Sequence, residues 1–228
     1  KIDVNNLQVY NNIKLQIWNN TLNTNNVYLY TTKCRIIYQN QIRMSPTALV
    51  IIADGSEEIE AVVVIDVLRR AGVDVTVAGL TDDVTVTCSR NVKIQPDVNI
   101  ATAAKNVPYD VIILPGGLKG ANAMSKATSV KDLLTDQDKS CRLIGAICAA
   151  PMVLKSHDIG AGRNVTSYPA FKDELSEMFV YNDYDVVVDG HVVTSRGPGT
   201  AMKFALKVVR LLCGDDVTNT TASALLFK

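Results

Sequence analysis

Short apolar runs recur along the chain after Met44, and amphipathic stretches separate them. The strongest runs have the continuous apolar character of strands covered on both faces, and they lie at residues 48–53, 74–80, 110–114 and 143–147. Helical patterns alternate with them and cover residues 57–71, 129–139, 149–157 and 199–213. This alternation predicts an α/β domain with a mostly parallel sheet and helices on both faces. In such a sheet, ligands bind at the carboxyl ends of the strands.

Weaker strand signals lie between these elements. Asp189-Gly190 separates two valine-rich runs and is a strong hairpin signal. Two short strands, at residues 84–88 and 92–95, flank Ser89-Arg90-Asn91, and residues 165–168 have an extended pattern.

The first 43 residues differ in composition from the rest of the chain. They are rich in Asn, contain the single acid Asp3, lack Gly and Pro, and carry the basic residues Lys1, Lys14, Lys33, Arg35 and Arg43. The segment fits a disordered extension, or translated upstream sequence with Met44 as the natural start. A mitochondrial targeting peptide is the third alternative. We therefore predict an Asn-rich basic extension at residues 1–43 and one domain at residues 44–228.

Charge and cysteine usage narrow the class of protein. The formal net charge is zero, so the chain lacks the basic field of an obligate nucleic-acid binder. No apolar run reaches the roughly 18 residues needed to span a bilayer, and we expect no membrane partner. The five cysteines are scattered without a C-x-x-C pair, which favours neither a disulfide framework nor a metal site. This usage suits a reducing compartment and predicts a cytoplasmic protein, with which mitochondrial or nuclear pools are compatible.

Cys148 lies where the predicted strand at residues 143–147 passes directly into a helix. A sharp strand-to-helix turn lifts a side chain above the sheet edge, as in a nucleophile elbow. The helix N-terminus would supply positive potential and free N–H groups that favour a thiolate. A small, inert, buried cysteine is the alternative, and spacing alone leaves both open.

Glu60 is the candidate partner of this cysteine. Steps of four, seven, eight and eleven residues from Glu60 reach apolar positions, so its side chain shares the core-facing stripe of the predicted helix. A carboxyl group buried there should have a raised pKa and could act as general acid and base. The alternative is a first-turn acid that only complements the helix dipole.

Glycines and histidines complete the candidate chemistry. Gly116 and Gly117 follow a buried strand, where glycines let a ligand approach the backbone closely and leave N–H groups free to bind an oxyanion. The alternative is a tight turn without a function. The two histidines, His157 and His191, lie at a helix end and in the hairpin, so a Cys-His pair is not expected.

Six strings resemble the DJ/PfpI superfamily, and in particular its Parkinsonism-associated deglycase branch. They occur in family order between Met44 and Lys228: ALVIIADGSEEIE, DVLRRAGVDVTVAGL, CSRNVKIQPD, YDVIILPGG, LIGAICAAP and VVTSRGPGT. The resemblance implies a catalytic domain at residues 44–228, folded as a doubly wound, flavodoxin-like sandwich that forms a homodimer. It also implies that Cys148 is the reactive cysteine, that Glu60 hydrogen-bonds it, and that the amides of Gly116, Gly117 and Ala149 line the site.

The resemblance places Cys88 and Arg90 near the dimer contact and the rim of the pocket. One position departs from the family, because Tyr168 precedes Pro169 where well-known members carry a histidine. A phenol titrates near pH 10 and cannot replace imidazole as a base at pH 7, although it can donate a hydrogen bond to substrate.

The activities that the resemblance implies are a glutathione-independent glyoxalase, which converts methylglyoxal to lactate, and a deglycase acting on early glycation adducts. The implied partners are small reactive dicarbonyls or glycated side chains, and no cofactor or metal is expected. We predict that Cys148 attacks the aldehyde carbon and that Glu60 moves a proton through an enediol. The rival hypothesis is a peroxide-sensing redox chaperone whose Cys148 is oxidised to sulfinate with little turnover.

Overall fold

The computed structural model describes residues 45–228, and the extension predicted at residues 1–43 lies outside them. The strands, numbered along the described chain, are β1 Thr47–Ile52, β2 Asp74–Gly79, β3 Val86–Thr87, β4 Lys93–Ile94, β5 Val98–Asn99, β6 Val111–Leu114, β7 Leu143–Ile147, β8 Asn164–Val165, β9 Val180–Tyr181, β10 Val186–Asp189 and β11 Val192–Ser195. Within these residues, seven strands form the main sheet in the order β10-β11-β7-β6-β1-β2-β5. All neighbours are parallel except the β10–β11 hairpin, while β3–β4 and β8–β9 form separate pairs.

Helices cover both faces of the sheet. They are α1 Glu58–Arg70, α2 Ile100–Ala103, α3 Leu118–Met124, α4 Thr128–Lys139, α5 Pro151–Ser156, α6 Lys172–Leu175, α7 Ala201–Cys213 and α8 Asp215–Ala224. Apolar side chains of α1 and α7 pack on one face, and those of α3, α4 and α5 pack on the other. The predicted mostly parallel, flavodoxin-like α/β sandwich is therefore confirmed.

Strand β1 shows why the core strands are apolar throughout. Leu49 and Ile51 belong to the core beneath α3, α4 and α5, whereas Val50 and Ile52 belong to the core beneath α1 and α7. All four side chains are fully buried. Since successive side chains of a strand point to opposite faces, a strand covered on both sides needs an apolar residue at every position.

Helix α1 places one carboxyl group inside the protein. Glu57 is its N-cap and accepts a hydrogen bond of 2.9 Å from the amide of Glu60, while Arg69 and Arg70 complement the dipole in its last turn. The buried face of the helix includes Glu60 together with Val64. The helical spacing predicted this orientation, and the structure confirms it.

The differences from the predicted elements concern short elements, and the two-residue strands β5 and β9 and the four-residue helices α2 and α6 were not predicted. The helix predicted at residues 149–157 begins only at Pro151, because residues 148–150 form a turn. The sequence pattern does not predict α3, which contains an internal glycine, or α8, which contains three Thr residues and is weak in helix propensity. Between Ser45 and Lys228, the helices are too short or too polar for any of them to cross a membrane.

Candidate active site

Four neighbouring strands end at one edge of the sheet and bring the candidate residues together. In the order β11, β7, β6 and β1, they lead into Ser195, Cys148, the Pro115–Gly117 turn and the turn at residues 53–56. The last of these turns leads into α1, which carries Glu60. Parallel strands present their carboxyl ends at the same edge, so residues far apart in the sequence become neighbours there.

Cys148 forms a strained elbow directly after β7. Its φ is +64°, in the left-handed region that residues other than glycine rarely occupy. Its amide donates a hydrogen bond of 3.0 Å to the carbonyl of Ser195, and its own carbonyl accepts one of 3.0 Å from the amide of Tyr168. These two bonds fix the backbone on both sides of the thiol, which remains partly exposed.

Glu60 lies beneath this elbow and is fully buried. Its Oε2 accepts a hydrogen bond of 2.7 Å from the amide of Gly116, and its carboxyl is a hydrogen-bonding neighbour of the Cys148 thiol. The other oxygen, Oε1, is buried without a hydrogen-bond partner among the described residues. Burial raises the pKa of Glu60 from 4.5 to about 7. A carboxyl group with this pKa can take up and release a proton near neutral pH.

The thiol of Cys148 resists ionisation while Glu60 is charged. Burial and the nearby charge of Glu60 raise the pKa of Cys148 to about 12, although the amides of Gly117 and Ala149 hydrogen-bond the sulfur and oppose this rise. The sequence predicted a thiolate favoured by a helix N-terminus. Helix α5 begins only at Pro151, three residues after Cys148, so its N-terminus does not determine the ionisation of the thiol. Above pH 7 the thiol and the Glu60 carboxyl instead hold one proton between them.

The glycines at the end of β6 are required by close packing. A Cβ atom on Gly116 would lie 2.7 Å from the Cβ of Cys148 and 2.8 Å from Oε2 of Glu60. Gly117 has a φ of +83°, and a Cβ there would lie 2.1 Å from the carbonyl oxygen of Gly55. Only glycine fits at either position.

Tyr168 borders the elbow on its outer side. Its side chain is 49% exposed, and its amide is the donor to the Cys148 carbonyl. A Cβ atom on Gly197 would lie 3.6 Å from its ring, so the ring lies beside the loop that follows β11. The structure thus places this exposed residue directly beside the elbow.

Cys88 and Arg90 lie in a loop beside the turn after β1, not against the thiol. The amide of Arg90 donates to the carboxylate of Glu58 at 2.8 Å, and that of Ser89 donates to the carbonyl of Ser56. The Arg90 side chain is on the exposed surface. Cys88 is buried, and burial together with the charge of Glu58 raises the pKa of its thiol to about 11. Because it is buried, Cys88 is poorly placed to meet a substrate, whereas Cys148 is partly exposed.

The histidines have partners elsewhere. His157 is hydrogen-bonded to the carbonyl of Met124, and His191 is hydrogen-bonded to Asp138 at 2.7 Å near the opposite ends of the strands. The sequence reasoning did not single out Ser195, although it holds the amide of the nucleophile. Its position at the carboxyl end of β11, the strand next to β7, is the feature that could have identified it as a site residue.

The sequence and the fold have counterparts in known proteins. The profile of the DJ-1/PfpI family matches residues 46–211. Protein dj-1beta of Drosophila melanogaster is 50% identical over 184 residues, which cover 80% of this chain and 98% of that protein. The glutathione-independent glyoxalase DJR-1.2 of Caenorhabditis elegans is 43% identical over 173 residues, which cover 75% of this chain and 91% of that protein. The crystal structure of Drosophila melanogaster DJ-1beta gives a TM-score of 0.80 at 49% identity, and covers 81% of this chain and 100% of that one.

Proposed function

The chain belongs to the DJ-1/PfpI family, and we propose that it is a glutathione-independent glyoxalase with Cys148 as nucleophile and Glu60 as proton carrier. Its substrates are methylglyoxal and related dicarbonyls, and early glycation adducts on side chains form a second class. One observation carries the proposal: the buried, titratable carboxyl of Glu60 adjoins a strained, accessible cysteine beneath the amides of Gly117 and Ala149. The similarity to a glyoxalase from Caenorhabditis elegans supports the choice of substrate.

The first step joins the sulfur to the substrate. The Glu60 carboxylate takes the proton of the Cys148 thiol while the sulfur attacks the aldehyde carbon of methylglyoxal. The C=O π electrons move to oxygen, and the amides of Gly117 and Ala149, which already face the sulfur, stabilise the developing charge. Transfer of the proton from Glu60 to that oxygen completes a hemithioacetal.

The second step moves a hydrogen between two carbons. Glu60 removes the proton from the carbon bound to sulfur, and the electron pair passes through an enediol to the adjacent carbonyl oxygen. Return of the proton from Glu60 to the second carbon, while the hydroxyl proton on the first carbon passes to the oxygen of the second, gives a thioester of lactate with Cys148. Water then hydrolyses the thioester, which releases lactate and restores the thiol. Each proton transfer uses a group whose pKa lies near the working pH.

Turnover in heavy water tests both steps. The protein is incubated with methylglyoxal without glutathione, and lactate is identified by mass spectrometry and NMR. We expect lactate with deuterium at the second carbon, because the proton on Glu60 exchanges with solvent. Absence of lactate from folded protein would overturn the glyoxalase proposal. Lactate without deuterium would overturn the role of Glu60 and favour direct hydride transfer.

A second candidate function uses the same cysteine as a peroxide sensor. The thiolate would attack peroxide, releasing water and leaving a sulfenate, and a second peroxide would give the sulfinate. The amides of Gly117 and Ala149, together with a protonated Glu60, would donate hydrogen bonds to these anionic oxygens. Protein that gains two oxygens on Cys148 in dilute peroxide, and that turns over methylglyoxal poorly, would favour this function over the glyoxalase.

Homodimerisation is the third element of the proposal, and α1 offers a surface for it. Ile59 and Val62 lie one helical turn apart on this helix and are 51% and 48% exposed, and Val92 nearby is 47% exposed. The loop that holds Cys88 and Arg90 is tied to the same helix through Glu58. A second copy on this surface would bury the apolar side chains and bring Arg90 to the partner's pocket.

A charge on this surface should separate the two copies. For Val62→Asp we expect a monomer at micromolar concentration, measured by size-exclusion chromatography with light scattering, where the wild type is a dimer. Burial of an unpaired carboxylate in an apolar contact opposes association. Val188→Asp is the matched control, since Val188 is exposed on the edge strand β10 and should leave the mass unchanged. A Val62→Asp protein that stays dimeric would contradict the use of α1.

A further inference from the structure

We propose that the side-chain hydroxyl of Thr200 is a positioning group for the nucleophile. It holds the turn after β11 to which the strained backbone of Cys148 is tied. This inference deepens the proposed function and rests on it for the turnover measurement alone. The reactivity of the Cys148 thiol toward an alkylating reagent tests the positioning role separately.

Thr200 closes a short 3-10 turn, Pro198–Thr200, between β11 and α7. Its Oγ1 accepts hydrogen bonds from the amides of Arg196 at 3.2 Å and Gly197 at 3.1 Å. It also lies 2.7 Å from Oγ of Ser195 and 2.9 Å from the carbonyl oxygen of Gly197. One hydroxyl group therefore connects three consecutive residues at the carboxyl end of β11.

The protons of this network can be assigned. The hydroxyl of Ser195, which is fully buried, donates to the carbonyl of Asp185 at 2.7 Å. Its oxygen is then left to accept, so the single proton of Thr200 is shared between Ser195 Oγ and the Gly197 carbonyl. Both lone pairs of Thr200 Oγ1 are taken by amides. Removing this hydroxyl leaves two backbone N–H groups and a buried serine oxygen without their partner.

One of the two bonds that hold the elbow ends on a residue hydrogen-bonded to Thr200, and the residue that makes the other packs beside this turn. The carbonyl of Ser195 accepts from the amide of Cys148, and the ring of Tyr168, whose amide donates to the Cys148 carbonyl, lies beside Gly197. The left-handed φ of Cys148 persists only while its surroundings enforce it. A loosened turn would let the elbow relax and move the sulfur away from Glu60 and the amides of Gly117 and Ala149.

The test compares three threonine variants. Thr200→Val keeps the shape and removes the hydroxyl, whereas Thr200→Ser keeps the hydroxyl. Thr218→Val is the matched control: Thr218 is buried and, like Thr200, has a hydroxyl that hydrogen-bonds the backbone, donating to the carbonyl of Gly214 at 2.7 Å, but it lies in α8. For each protein, the rate of Cys148 alkylation by iodoacetamide, the kcat and KM for methylglyoxal, and the thermal unfolding midpoint are measured.

In Thr200→Val we expect both the alkylation rate of Cys148 and kcat to fall by about 10- to 100-fold, because small misplacements of reacting groups have effects of this size. KM should be unchanged, and Thr200→Ser should recover most of the loss. Folded Thr200→Val with wild-type alkylation, or an equal loss in Thr218→Val, overturns the inference. If the wild type forms no lactate but alkylation of Cys148 is slower in Thr200→Val, the positioning role is upheld and the glyoxalase proposal is refuted.

Discussion

A Cys148→Ser protein is expected to form lactate from methylglyoxal at least about 10³-fold more slowly than the wild type, close to the uncatalysed background. Serine fits the same elbow because one atom changes. Its hydroxyl is a far weaker acid than a thiol, so Glu60, with a pKa of about 7, cannot readily remove its proton. An oxygen ester would also be a poorer intermediate than a thioester. The measurement is steady-state lactate formation by purified protein without glutathione.

Cys141 provides a matched control for this substitution. Cys141 precedes β7 as Cys148 follows it, and it also has a left-handed φ, of +53°. The five-residue strand between them spans about 17 Å, so Cys141 is remote from Glu60. Cys141→Ser should keep wild-type turnover. If Cys148→Ser retains most of the activity, or if both serine variants lose it equally, then Cys148 is not the nucleophile.

Patterns along the sequence predicted the central strands of the sheet and the burial of Glu60, but not the edge strand β5. Strand β7 has the predicted bounds, because its apolar run begins after the charged Arg142 and ends at the turn that Cys148 begins. The side chain of Glu60 is buried as its helical spacing predicted, because the apolar stripe of α1 must face the core. Both predictions depend on periodicity, which is a local property of the chain.

The remaining features of the site depend on contacts between distant segments. The carbonyl of Ser195 and the amide of Tyr168 reach Cys148 only because β11 lies next to β7 and because the 164–168 segment folds beside it. Whether the pKa of Cys148 is raised or lowered could not be predicted from the sequence either. It depends on how deeply the sulfur is buried and on the charge of Glu60, which together outweigh the amides.

A Glu60→Gln protein is expected to lose about 10² to 10⁴-fold in kcat/KM, the usual contribution of general acid–base catalysis. Glutamine keeps the length of the side chain and an oxygen that can accept from the Gly116 amide. It cannot take the thiol proton or carry a proton between the two carbons of the substrate. Glu57→Gln is the matched control on the same helix, since a glutamine N-cap can still accept from the Glu60 amide.

The pH dependence separates a proton carrier from a merely structural Glu60. Below its pKa of about 7, Glu60 is protonated beside a protonated thiol, and the pair cannot react. Wild-type kcat/KM should therefore rise tenfold per pH unit below pH 7 and level off above it. In Glu57→Gln the same rise should occur at lower pH, because the charge of Glu57 helps to raise the pKa of Glu60.

In Glu60→Gln the rise near pH 7 should be absent, and the residual activity should follow the ionisation of Cys148 alone. Stability provides an independent check of the same titration. Because the folded-state pKa of Glu60 is raised, its buried neutral form is stabilising at acid pH, and this contribution is lost as pH rises from about 4.5 through about 7. Glu60→Gln should lack that loss in the free energy of unfolding. A variant that keeps both the kinetic inflection and the stability change would show that another group titrates there.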